Sequence, residues 1–249
     1  MSREKTLSTF ISERSKNIKP SPTLAVSARA SKLRSEGKDI ISLSAGEPDF
    51  DTPEYIKNAA IKALNNGQTK YTAVDGTPEL KQAIIDKFKK ENELEYKNNE
   101  ILVSCGAKHS LYNLFQATLN PGDEIILTAP YWASYPDMAI LAGAKPVIIK
   151  TTIAENFKIN ADNLSQAISG KTRMLILNSP SNPSGANYSR DELTAIADVM
   201  LKNKNIIIVT DDIYEHIFWG SEKFANIINS CSQLYNRTIV VNGVSKAYS

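Results

Sequence analysis

Residues 205–216 read NIIIVTDDIYEH. The unbroken aliphatic run from Ile206 to Val209 leaves no polar position for a solvated face, so it predicts a strand covered on both sides. Similar runs recur from about residue 100 onward, as EILVS, DEIILTA, KPVIIK, TRMLILN and TIVVNG. Between them lie the helical patterns AKHSLYNLFQATL, YPDMAILAG, ADNLSQAIS and SRDELTAIADVMLKNK. This alternation predicts an α/β fold, a three-layer αβα sandwich with a mostly parallel sheet.

Local punctuation supports the helices. Ser189 and Glu192 have the spacing of a capping box, in which each side chain satisfies an N–H that the first helical turn leaves orphaned. In DTPEYIKNAAIKALNNG and GTPELKQAIIDKFKKENEL, a Thr precedes Pro and Glu, which suits N-cap, N1 and N2 positions, and Gly67 stops the first of these helices. Residues 1–50 differ: they hold Lys19-Pro20-Ser21-Pro22, a helical AVSARASKLRSEG and a turn-rich SLSAGEPDFDTP, which together read as an N-terminal arm and partial small domain. Residues 51–249 form the main α/β body.

Composition narrows the function. With 29 Lys and Arg against 27 Asp and Glu, the net charge of +2 provides no field for nucleic acid or a membrane surface. Cys105 and Cys231 form no C-x-x-C pair and the two histidines, His109 and His216, lie far apart, so no zinc site is expected. The N-terminus mixes Glu4 and Glu13 with basic residues and lacks an apolar core, and no stretch approaches the roughly 18 apolar residues of a membrane span. A reduced, cytoplasmic protein is expected.

In an open parallel sheet, ligands bind beyond the carboxyl ends of the strands. After EILVS come Gly106 and Ala107, small residues at a helix start where backbone N–H groups and the helix dipole favour a phosphate. After DEIILTA comes Trp132, whose flat face suits an aromatic ring or, equally, a core. After TRMLILN comes Asn182 in a turn fixed by prolines, a ligand amide or a simple Asx-turn. After NIIIVT come Asp211 and Tyr214, with Asp212 directed elsewhere. A carboxylate at the end of a buried strand is costly unless it meets a cation. After TIVV comes Lys246, which acts as a nucleophile only if its pKa is lowered, and is otherwise a surface charge. As a set, a phosphate cradle, a stacking Trp, an amide, an Asp with a Tyr and a Lys match the needs of pyridoxal phosphate.

The segments SAGEPDFDTP, TKYTAVDGTPEL, SLYNLFQATLNPGDEII, APYWASYP, NSPSNPSG, DDIYEHI and VSKAYS occur in an order that resembles the class I, fold-type I aminotransferases, in particular the bacterial aspartate and prephenate enzymes. The resemblance implies the fold-type I large domain and pyridoxal 5'-phosphate as cofactor. It implies Lys246 as the Schiff-base lysine, Asp211 as partner of the pyridinium nitrogen, and Tyr214 and Asn182 as partners of the ring oxygen. Trp132 stacks on the ring, and Gly106, Ala107 and Lys108 form the phosphate turn. Gly46 lines the substrate carboxylate site with Trp132 and Asn182, and Lys19 resembles an arm lysine of dicarboxylate or prephenate selection. Tyr71 is similar to a tyrosine that reaches the phosphate of a neighbouring subunit, which implies a homodimer with shared active sites.

The implied reaction moves an amino group from an amino acid, aspartate or glutamate, to a 2-oxo acid. The alternatives on the same scaffold are a β-eliminating lyase and an incomplete cofactor-binding fragment. Ala107 stands where relatives often have a second Gly, and Asp212 where they have Glu. The family continues beyond the lysine to an arginine for the phosphate and a small domain whose arginine grips the substrate, so a chain truncated at its C-terminus is expected.

Overall fold

The computed structural model describes residues 10–18, 20, 22–43, 46–220 and 223–249. Five strands form its sheet: β1 (Glu124–Ala129), β2 (Lys145–Lys150), β3 (Thr172–Asn178), β4 (Ile207–Asp211) and β5 (Thr238–Val241). Their order is β2-β1-β3-β4-β5 and every neighbouring pair is parallel. Successive side chains of a strand point to opposite faces. Accordingly Ile125, Met174, Val209 and Val241 join one buried cluster, and Ile126, Leu175, Leu177 and Ile208 join the other. Both faces are apolar because both are covered, which is why the strands read as continuous rather than alternating runs.

Among the described residues, α1 (Glu13–Lys16), α2 (Pro22–Ser35), α3 (Glu54–Asn65) and α4 (Pro78–Asn92) come first along the chain. Leu111 and Phe115 of α5 (Ala107–Thr118), with Met138 and Ala139 of α6 (Ser134–Leu141), fill one face. The other face is covered by Leu164 of α7 (Ala161–Ala167), Leu193 and Ile196 of α8 (Arg190–Lys202), Ile227 and Ile228 of α9 (Ile227–Ser230), and Phe88 of α4. The expected αβα sandwich is therefore present. Among the described residues no helix is long and apolar enough to cross a membrane.

The cap signals divide. Ser189 Oγ accepts from the Glu192 N–H while a Glu192 carboxylate oxygen accepts from the Ser189 N–H, completing the capping box of α8. Thr77 caps α4 by accepting from the Leu80 N–H. Thr52 does not cap α3, which starts after Pro53 without a side-chain cap. Its hydroxyl donates instead to the Ser249 carbonyl at 2.5 Å. Gly67, at φ +71°, ends α3 as expected.

EILVS is a second correction. Residues Asn98–Glu100 form a single 3₁₀ turn, and 101–104 pair with no strand among the described residues. Ile101 has extended angles, but the Val103 N–H donates to the Asp75 carbonyl of a loop. An apolar run becomes a strand only where another strand offers it a ladder.

Candidate active site

The strand order reverses between β1 and β3, with β2 on one side and β4 and β5 on the other. A crevice opens beyond the carboxyl ends of the strands at such a switch point. The register places Asn178 beside Asp211 and Asp211 beside Val241, so the last residues of β3, β4 and β5 stand in one row at its edge.

Asp211 is 3% exposed. One carboxylate oxygen accepts from the Tyr135 hydroxyl at 2.5 Å and the other from the Ile213 N–H at 3.4 Å. Among the described residues no ion pair reaches it. Burial pushes its carboxyl above the usual range, and these two hydrogen bonds pull it partly back. Burial, then the adjoining Asp211 charge, raises the Tyr135 hydroxyl well above its ordinary value, so Tyr135 remains a protonated donor. The Trp132 ring meets Tyr135 edge-on at 5.3 Å and 87°, and Lys108 Nζ lies 4.9 Å from the Trp132 ring centroid. Lys108, Trp132, Tyr135 and Asp211 thus form one continuous wall.

A second line of contacts starts from the same carboxyl ends. Asn178 Nδ2 donates to the Asp211 carbonyl at 2.8 Å, and Asn178 Oδ1 accepts from the Asn182 N–H at 2.7 Å. Asn182 Nδ2 in turn donates to the Tyr214 hydroxyl oxygen at 3.3 Å. Burial raises the Tyr214 pKa, and the Asn182 contact opposes that shift. Lys246 Nζ lies 5.9 Å from the Tyr214 ring centroid and donates to the Gly46 carbonyl at 2.7 Å. Gly46, Asn182, Tyr214 and Lys246, chosen from separate segments of sequence, are therefore joined.

Gly106 is the N-cap of α5 at φ +89°. A Cβ there would meet open space, so the backbone angle, not crowding, requires glycine. The Ala107 and Lys108 N–H groups belong to the first helical turn, where no intrahelical acceptor exists, and they present positive dipole ends to an anion. Asp212 turns away, as expected: its oxygens accept from the Thr210 hydroxyl and from Asn226 Nδ2.

Tyr71 is fully exposed, and no hydrogen bond or ring contact among the described residues joins it to this network. Lys19 lies outside the described residues. Sequence reasoning missed Tyr135 and Asn178. Tyr135 follows Trp132 by three residues, in the first turn of α6, and Asn178 is the polar residue ending an apolar strand, the position at which Asp211 attracted notice.

The family model described as aminotransferase class I and II matches residues 38–249. The aspartate/prephenate aminotransferase of Nitrosomonas europaea is 59% identical over 239 residues, covering 96% of this chain and 60% of that protein. The aspartate aminotransferase of Bacillus sp. strain YM-2 is 50% identical over 240 residues, covering 96% and 61%. Among solved structures, the aspartate aminotransferase of Rhizobium meliloti superposes with a TM-score of 0.92 at 47% identity, covering 96% and 60%. That of Thermus thermophilus with maleate gives 0.90 at 43%, covering 96% and 61%. The chain thus spans about 60% of the length of the relatives it matches.

Proposed function

Since this chain belongs to the aminotransferase class I and II family, we propose that it serves amino transfer from aspartate or glutamate to a 2-oxo acid, prephenate among them, with pyridoxal 5'-phosphate as cofactor. The observation that carries this reading is the buried Asp211 carboxyl, which ends β4 with no cation in contact among the described residues. A buried carboxylate is stabilised by a positive partner, and a protonated ring nitrogen supplies one. The glycine-started helix α5 offers an anion site, and Lys246 lies beside Tyr214, so the residues suit the cofactor.

When bound, pyridoxal phosphate supplies an electron sink for negative charge at the substrate α-carbon. Asp211 keeps the ring nitrogen protonated, with Tyr135 fixing the carboxylate. Asn182 and Tyr214 would bind the ring oxygen, and Trp132 would supply a flat apolar surface for the ring and exclude water. Gly106, Ala107 and Lys108 hold the phosphate. Lys246 would hold the cofactor, and its amine would move the proton at the substrate α-carbon.

Gly46, with Trp132 and Asn182, lines the site of the substrate carboxylate, and Lys19 selects acidic substrates. The names of the relatives, and the maleate in one of them, support an acidic substrate class. Tyr71 completes the phosphate site of a second subunit in a homodimer. Exposed apolar residues between positions 10 and 74, including Phe10, Ile41, Leu43, Phe50 and Val74, support such an interface.

Incubation with pyridoxal phosphate, borohydride reduction and peptide mapping should add the pyridoxyl mass at Lys246, and Lys246→Ala should remove that label. A folded native chain without label there overturns the assignment. Amino transfer from aspartate to 2-oxoglutarate, scored against release of ammonia, separates transfer from β-elimination. Label without either product assigns the chain to cofactor binding alone.

A further inference from the structure

Glu215 lies one residue beyond Tyr214, and its side chain is 3% exposed. A buried carboxylate without partners is strongly disfavoured, so its donors show what it holds. Two come from α4: Lys87 Nζ on one oxygen and Asn92 Nδ2 on the other. A third is Asn242 Nδ2, at 2.9 Å from the oxygen that Lys87 contacts. Asn242 is the first residue after β5, and its Oδ1 accepts from the Gly243 N–H at 2.7 Å, which starts the path to Lys246. That path closes in a turn in which the Tyr248 N–H donates to the Val244 carbonyl at 2.9 Å.

On its other side, Glu215 is fixed to the segment holding the candidate site's acid and phenol. Its own N–H donates to the Asp212 carbonyl at 2.9 Å, and the Ile217 N–H donates to the Tyr214 carbonyl at 2.8 Å. The Glu215 carboxylate therefore stands between the turn after β4, the turn after β5 and helix α4.

We propose that Glu215, acting through Asn242, is a positioning residue that fixes the Lys246 turn relative to Asp211 and Tyr214. The inference rests on the role given to Lys246 above. A purely structural Glu215 would serve only Lys87 and Asn92 of α4 and the neighbouring His216, whose Nε2 lies 3.3 Å from the oxygen that Lys87 contacts, and would leave the Lys246 turn indifferent to Asn242. Asn242→Asp distinguishes the two: it keeps the acceptor for the Gly243 N–H and replaces the donor facing Glu215 with a carboxylate.

Amide hydrogen exchange on the full chain without cofactor reads the tether directly. The Tyr248 amide should exchange about ten-fold faster in Asn242→Asp and in Glu215→Ala, while the β4 amides of Asn242→Asp keep their native rates. Unchanged Tyr248 exchange in Asn242→Asp overturns the proposal, whether or not Glu215→Ala folds. In the borohydride experiment, the same substitution should slow pyridoxyl labelling of Lys246 several-fold. Absence of label in the native chain overturns the cofactor reading alone, because the exchange comparison decides the tether without it.

Discussion

Asp211 ends β4 and Asp212 follows it directly, and the two adjacent carboxylates enter different surroundings. Asp211 faces the candidate site, whereas Asp212 is enclosed by Thr210 and Asn226 with Glu215 nearby. Burial pushes the Asp212 carboxyl from the ordinary 3.8 up to about 7, against the pull of its two hydrogen bonds. The folded chain then holds a proton that the unfolded chain has already lost. The stability drawn from it is complete below about pH 4 and is lost as pH rises through 7. Asp212→Asn reproduces the protonated shape, so unfolding free energies of the two chains should diverge across that window in favour of the variant. Each unit of pKa difference corresponds to about 1.4 kcal/mol, and urea titrations at pH 4, 5.5 and 7.5 measure the gap. Much of the site was legible at this scale because Asp211, Asn182, Tyr214 and Lys246 all sit just past apolar runs. Tyr135 and Glu215 were hidden for a physical reason. Their partners lie 76 residues away at Asp211 and 27 residues away at Asn242, and nothing local marks a side chain as half of a distant pair.

At the scale of elements, α8 has its two ends satisfied from different places. The capping box at Ser189 is local and was visible as a spacing. The other end depends on Arg237, which precedes β5 and donates to the carbonyls of Met200, Asn203 and Ile206. A guanidinium at a helix C-terminus satisfies orphaned carbonyls and favours the dipole. Arg237→Ala should lower the unfolding free energy by about 2 kcal/mol, since bonds to a charged donor are among the stronger ones. Arg237→Lys should recover only a part, because an ammonium lacks the planar fork that spans three carbonyls. Denaturant midpoints at constant slope provide the comparison. The failures at this scale have a common cause. Thr52 and residues 101–104 carried correct local signals, but the Ser249 carbonyl took the hydroxyl and no neighbouring strand met the run.

For the molecule as a whole, one parallel sheet separates two buried clusters, a division implied by runs such as Ile206–Val209. Ile125 and Ile126 are adjacent in the chain yet belong to opposite clusters. Each Ile→Val substitution should cost about 1 kcal/mol, and the double variant should show the sum within about 0.5 kcal/mol, because the two side chains share no packing partners. A larger coupling in urea unfolding would mean that the backbone transmits strain between the faces. Strand order was not legible in the same way, since apolar runs specify burial but not which neighbour each strand will take. The all-parallel topology also bears on how the chain acquires its shape. Parallel neighbours need long crossovers, so no pair in this sheet can zip together as a hairpin. Refolding is then governed by the entropy of bringing distant segments together, and helical signal should rise before the tertiary signal that reports the docked sheet.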